Sequence, residues 1–145
     1  MQEHLVVPLG ARTVKQAIEI NLKVHEQLGK LLEKKDPGFA GGMDDENAWT
    51  ANLNDVQALQ ILKQATDEIA NVEGVEIRMG LDLAADHLWD AVRKIYRYDR
   101  EGTTRTPHQQ LDFLGELIGQ FRLIYVDPGC YPFSSGIPRG KGNFI

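Results

Sequence analysis

The 145-residue sequence predicts a single α/β domain with parallel strand pairing. Segments with strand-like alternation and segments with helical periodicity follow one another as strand, helix, loop, helix, strand, hairpin-like insert, helix and strand. The apolar fraction of 42% and the charged fraction of 26% are ordinary for a soluble globular protein. Because a complete eight-stranded α/β barrel needs about 250 residues, the length allows only part of such a barrel.

A short turn separates the first predicted strand from the first predicted helix. Leu5–Gly10 predicts a short strand that ends in a turn. Thr13 and Gln16 have the spacing of a capping box, in which the Gln16 side chain reaches back to the N-cap residue. The helix that they begin carries a broad apolar face and ends near Lys35, where Asp-Pro-Gly follows. His25 lies within this helix and is expected to be solvated.

A polar loop, Phe39–Asn54, separates the first helix from the second. It contains an acidic run at Asp44-Asp45-Glu46. Asn54 and Asp55 are candidate caps for a helix over about Val56–Val72, whose apolar residues recur at helical spacing.

The next strand carries the most informative acidic residue. Apolar residues occupy every second position of this segment, at Val75, Ile77, Met79, Leu81 and Leu83. This period of two predicts a β-strand. Asp82 lies near the strand's C-terminal end, where parallel α/β folds place metal ligands and catalytic groups. The alternative is that Asp82 only starts a turn.

The last third of the predicted domain contains an insert, a helix and a strand. Lys94–Tyr98 is a candidate strand of a hairpin-like insert, with a turn at Glu101-Gly102, and its tyrosines are expected to pack the hairpin. Thr106, Pro107 and Gln109 begin a helix that runs to about Phe121, with Pro at the first helical position. Leu123–Pro128 is a third strand with an acidic end.

The composition predicts two regions and excludes several function classes. Residues 1–127 form the predicted domain, and residues 128–145, which hold four glycines and three prolines without any period, predict an extended or disordered tail. The scattered Lys and Arg residues argue against a nucleic-acid surface, and the longest apolar runs are too short for a membrane span. With Cys130 as the only cysteine and no signal peptide, we expect a cytoplasmic protein without an internal disulfide.

Four segments resemble motifs of the enolase (phosphopyruvate hydratase) family, in that family's order and spacing. They are Met1–Ala11 (MQEHLVVPLGA), Asp45–Asn52 (DENAWTAN), Gly80–Ala85 (GLDLAA) and Val126–Pro128 (VDP). The similarity extends over roughly Gln2–Pro128. It implies a partial TIM-type barrel built from early strand–helix units.

The resemblance also implies a reaction and the residues that carry it out. Enolases reversibly dehydrate 2-phosphoglycerate to phosphoenolpyruvate in glycolysis and gluconeogenesis, with Mg²⁺ as cofactor. By resemblance, Glu3 and Glu46 match the two glutamates that assist departure of the 3-hydroxyl, and Gln2 matches a neighbouring substrate-binding glutamine. Asp82 matches the first Mg²⁺ ligand, and Asp127 could act as the second. The implied small-molecule partner is a phosphoglycerate.

The chain departs from the family pattern at several positions. Asn47 and Thr50-Ala51 replace the usual Gly and Ala-Pro of the glutamate loop, and Asp127 is the only acid where the family has Glu-Asp before proline. The third metal ligand and the lysine that removes the C2 proton have no match in these 145 residues. We therefore expect the family reaction to be weak or lost in this polypeptide.

Two alternatives to a working enzyme remain. A partial barrel leaves strand edges with unpaired backbone groups, which favours a non-catalytic interaction protein that associates with itself or covers its edges with another chain. The residues after Pro128 are either native sequence or the product of a disrupted reading frame.

Overall fold

The structure is a computed structural model that describes residues 3–127. The tail predicted over residues 128–145 lies outside the described residues, as does Gln2. Four helices and six strands form within the described part. They are β1 (Glu3–Val7), α1 (Val14–Lys35), α2 (Asp55–Glu73), β2 (Arg78–Asp82), α3 (Ala85–Leu88), β3 (Trp89–Asp90), β4 (Ile95–Tyr98), β5 (Thr103–Arg105), α4 (Pro107–Phe121) and β6 (Tyr125–Asp127).

The chain divides into two compact units, and the division falls within strands β1 and β2. One unit comprises residues 6–79, and the described part of the other comprises residues 3–5 and 80–127. Across residues 3–127, no helix is both long and apolar enough to cross a membrane.

Helices α1 and α2 pack against each other and provide most of the core of the first unit. The buried side chains lie on one face of each helix, as the predicted apolar stripes require. They are Ile20, Val24, Leu31 and Leu32 from α1, and Leu59, Ile61, Leu62 and Ala65 from α2. Both predicted helices are confirmed, with ends that differ from the prediction by no more than one residue.

The helix caps are confirmed with one correction. Asn54 with Gln57, and Thr106 with Gln109, form complete capping boxes at the starts of α2 and α4. At the start of α1 the Thr13 hydroxyl accepts a hydrogen bond from the Gln16 amide at 3.1 Å. The Gln16 side chain, however, accepts from the amide of Arg12 at 2.8 Å and not from that of Thr13, so the predicted reciprocal box is only half formed.

The main sheet has the strand order β1-β2-β6. Strands β2 and β6 are parallel, with Gly80 opposite Tyr125, Leu81 opposite Val126 and Asp82 opposite Asp127. Gly80 has no side chain where the neighbouring strand lies close, since a Cβ there would be 3.2 Å from the Tyr125 Cβ. The predicted parallel pairing is therefore confirmed for these two strands.

Strand β1 runs in the opposite direction to β2, so the predicted parallel pairing is wrong for this strand. A Cβ at Gly80 would lie 3.5 Å from the Leu5 Cβ, and further along the chain the Gly10 amide donates to the Glu76 carbonyl at 3.0 Å. Residue numbers thus rise along one segment as they fall along the other, which is the relation of antiparallel neighbours. β1 also begins at Glu3, two residues before the predicted strand.

The insert is a second, antiparallel sheet in the order β3-β4-β5. Its tyrosines Tyr96 and Tyr98 are buried, which confirms that they pack the hairpin. The Arg105 guanidinium carbon lies 4.1 Å from the ring centre of Tyr98 and 3.8 Å from that of Phe113 on α4. The sequence does not predict the short elements α3, β3 and β5 individually, since two to four residues carry too little periodicity.

Candidate functional site

Two acidic residues end neighbouring parallel strands. Asp82 is the last residue of β2, Asp127 is the last residue of β6, and the two are opposite each other in the register. Because the strands are parallel, their carboxyl ends lie at one edge of the sheet, where α/β folds place ligands. For Asp127 the structure describes the backbone position alone.

Asp82 also starts a turn, as the alternative interpretation of the sequence expects. Its carboxylate is half-buried, and Oδ1 accepts a hydrogen bond from the amide of Ala84 at 3.1 Å. Ala84 has a φ of +39°, a left-handed conformation that turns the chain from β2 into α3. A carboxylate has two oxygens and several lone pairs, so the bond to Ala84 orients the group without using all of its acceptor capacity.

Glu3 belongs to the same edge of the sheet. It is the first residue of β1 and is half-buried. Because β1 is antiparallel to β2, the beginning of β1 lies beside the carboxyl end of β2. Glu3, Asp82 and Asp127 thus occupy one edge of three neighbouring strands. Gln2, which resembles the substrate-binding glutamine, lies outside the described residues.

Glu46 lies in the other unit, at the tip of a short hairpin. The amide of Asn47 donates to the Asp44 carbonyl at 3.1 Å, and the amide of Asp44 donates to the Ala48 carbonyl at 3.0 Å. Asn47 has a φ of +63°, a left-handed conformation at which glycine is favoured and asparagine is tolerated. The Glu46 side chain is exposed.

The carboxylate of Asp44 stabilises the tip from inside the turn. Its Oδ1 accepts from the amides of Glu46 at 3.0 Å and Ala48 at 2.8 Å. This is the turn chemistry that Asp favours, in which a short side chain bonds the backbone two to four residues ahead. The backbone on both sides of the Glu46 side chain is thereby restrained.

Asp36 closes the base of the same loop, a role that sequence reasoning missed. This buried carboxylate accepts from the amide of Gly38 at 3.0 Å and from that of Asn52 at 2.9 Å, one bond to each oxygen. In the sequence Asp36 marks only the end of α1. The bond to Asn52 crosses 16 positions along the chain, so no local pattern reports it.

His25 is only partly solvated, whereas the sequence predicts a fully solvated side chain. The side chain is half-buried, and its Nε2 lies 2.9 Å from the carbonyl oxygen of Asn47. The ring also stacks on Trp49, with a centroid distance of 4.6 Å. Because His25 lies 22 residues before Asn47 and 24 before Trp49, the helical pattern around it could not show that the loop returns to it.

The residues at the sheet edge fit Mg²⁺ in donor chemistry. Mg²⁺ prefers oxygen ligands and commonly uses one or two carboxylates, with water and substrate oxygens completing its coordination. Asp82 and Asp127 are aspartates at adjacent strand ends. Within residues 3–127, no three His, Cys, Asp or Glu side chains come together as a ready-made metal cage.

Comparison with known proteins gives one consistent family. The model for "Enolase, C-terminal TIM barrel domain" matches residues 1–131. The enolase of Methanosphaera stadtmanae is 37% identical over 127 residues, that of Methanothermobacter thermautotrophicus 39% and that of Pyrobaculum aerophilum 36% over the same length. These matches cover 88% of this chain.

The chain spans only part of these relatives. The aligned residues amount to 31% of the Methanosphaera protein and 30% of each of the other two. The described residues form no closed barrel, and the β1-β2-β6 sheet is consistent with a portion of one.

Proposed function

Because this chain belongs to the enolase family, we propose that it supplies part of the site at which 2-phosphoglycerate is reversibly dehydrated to phosphoenolpyruvate. The observation that carries this proposal is the pairing of Asp82 with Asp127 at the carboxyl ends of parallel strands, with Glu3 at the same edge. These are three of the five residues that resemble the family's functional groups.

The proposed roles follow from the chemistry of each group. Asp82 and Asp127 would hold Mg²⁺, which when bound stabilises the negative charge that develops on the substrate. Glu3 and Glu46 would protonate the departing 3-hydroxyl or position a water molecule beside it. A carboxyl group near a leaving oxygen can act as a general acid. Gln2 would hydrogen-bond the substrate.

The 145-residue polypeptide by itself is proposed to have little activity. No lysine in it matches the base that removes the C2 proton, and loss of one proton-transfer group typically costs about 10²–10⁴-fold in rate. Directly before Pro128 the chain has one acidic residue where the family has two. That residue, Asp127, has a side chain one methylene shorter than glutamate. The same proposal includes a phosphoglycerate as the substrate and the cytoplasm as the location of the protein.

Calorimetric titration with Mg²⁺ tests the metal role. Wild-type chain is expected to bind Mg²⁺, Asp82→Ala to lose most of this binding, and Asp112→Ala, an exposed aspartate on α4, to bind like wild type. Equal binding by wild type and Asp82→Ala would remove Asp82 from the site. Near-normal phosphoenolpyruvate formation by this polypeptide alone would contradict the proposed low activity.

A second candidate function is self-association without catalysis. In the sheet of the described residues β1 and β6 are the outer strands, and the outer strand of a sheet is where a further chain can add by strand pairing. Helix α1 also exposes an apolar row at intervals of four residues, Val14, Ile18 and Leu22, with exposures of 78%, 55% and 58%. A second copy of the chain could cover both features.

Sedimentation velocity over a range of concentrations tests the second candidate. Self-association predicts a concentration-dependent dimer or larger species that Ile18→Lys weakens, with Leu9→Lys, an exposed leucine outside the row, as the control. A stable, folded monomer at micromolar concentration would contradict this second candidate. Such a result would leave the metal proposal untouched.

A further inference from the structure

The hairpin that carries Glu46 is fastened to helix α1 through Trp49. The indole Nε1–H donates to the backbone carbonyl of His25 at 2.9 Å, and the indole ring stacks on the His25 imidazole at an interplanar angle of 19°. Phe39 contacts the indole edge-on, at 5.6 Å between ring centres. Three contacts of different kinds therefore fix the position of one side chain.

The Trp49 indole packs against helix α1 at Gly29. A Cβ at Gly29 would lie only 3.0 Å from Trp49 Cζ2 and 3.2 Å from Cε2. Gly29 lies one helical turn after His25, so the two residues present one continuous surface of α1 to the ring. The absence of a Cβ at Gly29 lets the indole lie against the helix, where a Cβ would require Trp49 to shift by a few tenths of an ångström.

The imidazole of His25 reaches past Trp49 to the tip of the hairpin. Its Nε2 lies 2.9 Å from the carbonyl oxygen of Asn47, the residue after Glu46. A carbonyl oxygen can only accept, so Nε2 must carry the hydrogen and donate it. The peptide that follows Asn47 is thereby held in the left-handed turn, at a position where asparagine replaces the glycine of the family motif.

We propose that His25 is a positioning residue for Glu46. Resting on the proposed function of Glu46, this role consists of holding the turn in one conformation, which fixes the backbone from which the Glu46 side chain extends. Asp44 restrains the peptide before Glu46 from inside the turn, and His25 restrains the peptide after Asn47 from the helix. The indole of Trp49 packs between the helix and the hairpin, so the same ring that stacks on His25 also joins α1 to the hairpin.

Amide hydrogen exchange on the full chain tests the role without any need for activity. His25→Phe keeps a ring for Trp49 and removes the donor to Asn47. We expect the amides of Glu46, Asn47 and Ala48 to exchange about three- to tenfold faster, the ratio that loss of one hydrogen bond produces when it governs local opening. His108→Phe makes the same change at an exposed site on α4 and is expected to leave these amides unchanged.

A third variant separates the hydrogen bond from the ring. His25→Gln lacks the ring but retains a side-chain N–H donor, so exchange in this variant should lie closer to wild type than in His25→Phe. Unchanged exchange at Glu46–Ala48 in His25→Phe would overturn the proposal. Equal acceleration in the phenylalanine and glutamine variants would overturn it as well, since the donor would then be irrelevant.

A ligand titration connects the turn to the site. Mg²⁺ with 2-phosphoglycerate is added while the amide resonances of Glu46 and Asp82 are followed. In His25→Phe the Asp82 shift is expected to match wild type and the Glu46 shift to shrink. An undiminished Glu46 shift would contradict the positioning role. No shift at either residue in wild type would count against the proposed function, and the exchange experiment would still decide the role of His25.

Discussion

The acidic edge of the sheet and the Glu46 hairpin are held in place by different kinds of interaction. At the edge, Asp82 and Asp127 are brought opposite each other by backbone pairing of two parallel strands. In the hairpin, Glu46 is held by side chains, namely Asp36 at the base, Asp44 within the turn and His25 from the helix. The edge should therefore respond to changes that disturb the sheet, and the hairpin to the loss of single polar or aromatic groups.

The largest effect is expected when the sheet loses core volume directly beside Asp82. Leu81 is fully buried on β2, so Leu81→Ala should lower the free energy of unfolding by about 2–5 kcal/mol, the usual cost of emptying a buried leucine site. Leu9→Ala, at a leucine that is 52% exposed, is the matched control. Urea denaturation of both variants measures the difference, and similar losses would show that burial at Leu81 does not organise this strand.

A smaller effect is expected from opening the base of the hairpin. Asp36→Ala leaves the amides of Gly38 and Asn52 without their carboxylate acceptor, which should cost about 1–3 kcal/mol. Asp45→Ala changes an exposed aspartate in the same loop and should stay within about 0.5 kcal/mol of wild type. Denaturant unfolding gives both values, and faster amide exchange across the loop should accompany the first variant only.

Glycine substitutions distinguish Gly29, which contacts the Trp49 indole, from an ordinary helical position. A Cβ added at Gly119 on α4 would meet no other atom within 4 Å, so Gly119→Ala should stabilise the protein by up to about 1 kcal/mol through helix propensity. Gly29→Ala should gain less or lose stability, because its Cβ would displace Trp49. Thermal unfolding of both variants measures the difference. An equal gain in stability at Gly29 would mean that the Trp49 indole can shift without destabilising the protein.

The smallest effect is expected at Asp90, a turn carboxylate outside both regions. Amides of Arg93 at 2.9 Å and Val92 at 3.0 Å donate to it and lower its pKa below the usual value of 3.8. A lowered pKa in the folded state stabilises the protein above that usual value, and the stabilisation is lost as the pH falls through the folded pKa. Asp90→Asn should therefore have a lower free energy of unfolding than wild type at neutral pH, and the difference should shrink in acid. Urea unfolding at several pH values measures it.

Local interactions explain why the helices can be predicted. The caps at Asn54 and Thr106 and the apolar stripes of α1, α2 and α4 involve residues within a few positions of one another. Strand β2 is predictable because its alternation is local too, although the apolar alternation begins at Val75 and the strand itself only at Arg78. Its motif also places Asp82 at the strand end, where the structure has it. The family assignment rests on motifs of the same short range.

Long-range contacts explain what could not be predicted. The apolar run Leu5–Val7 predicts that β1 is a strand but not which way it runs beside β2, because the same run is compatible with both directions. Likewise, nothing near His25 indicates that Asn47 and Trp49 return to it. By itself the sequence determined the helices, their caps, the acidic strand ends and the enolase family, since each depends on neighbouring residues. Only the tertiary structure decided that Glu3 begins beside the end of β2 and that Glu46 is held from α1, since those contacts join residues far apart in the chain.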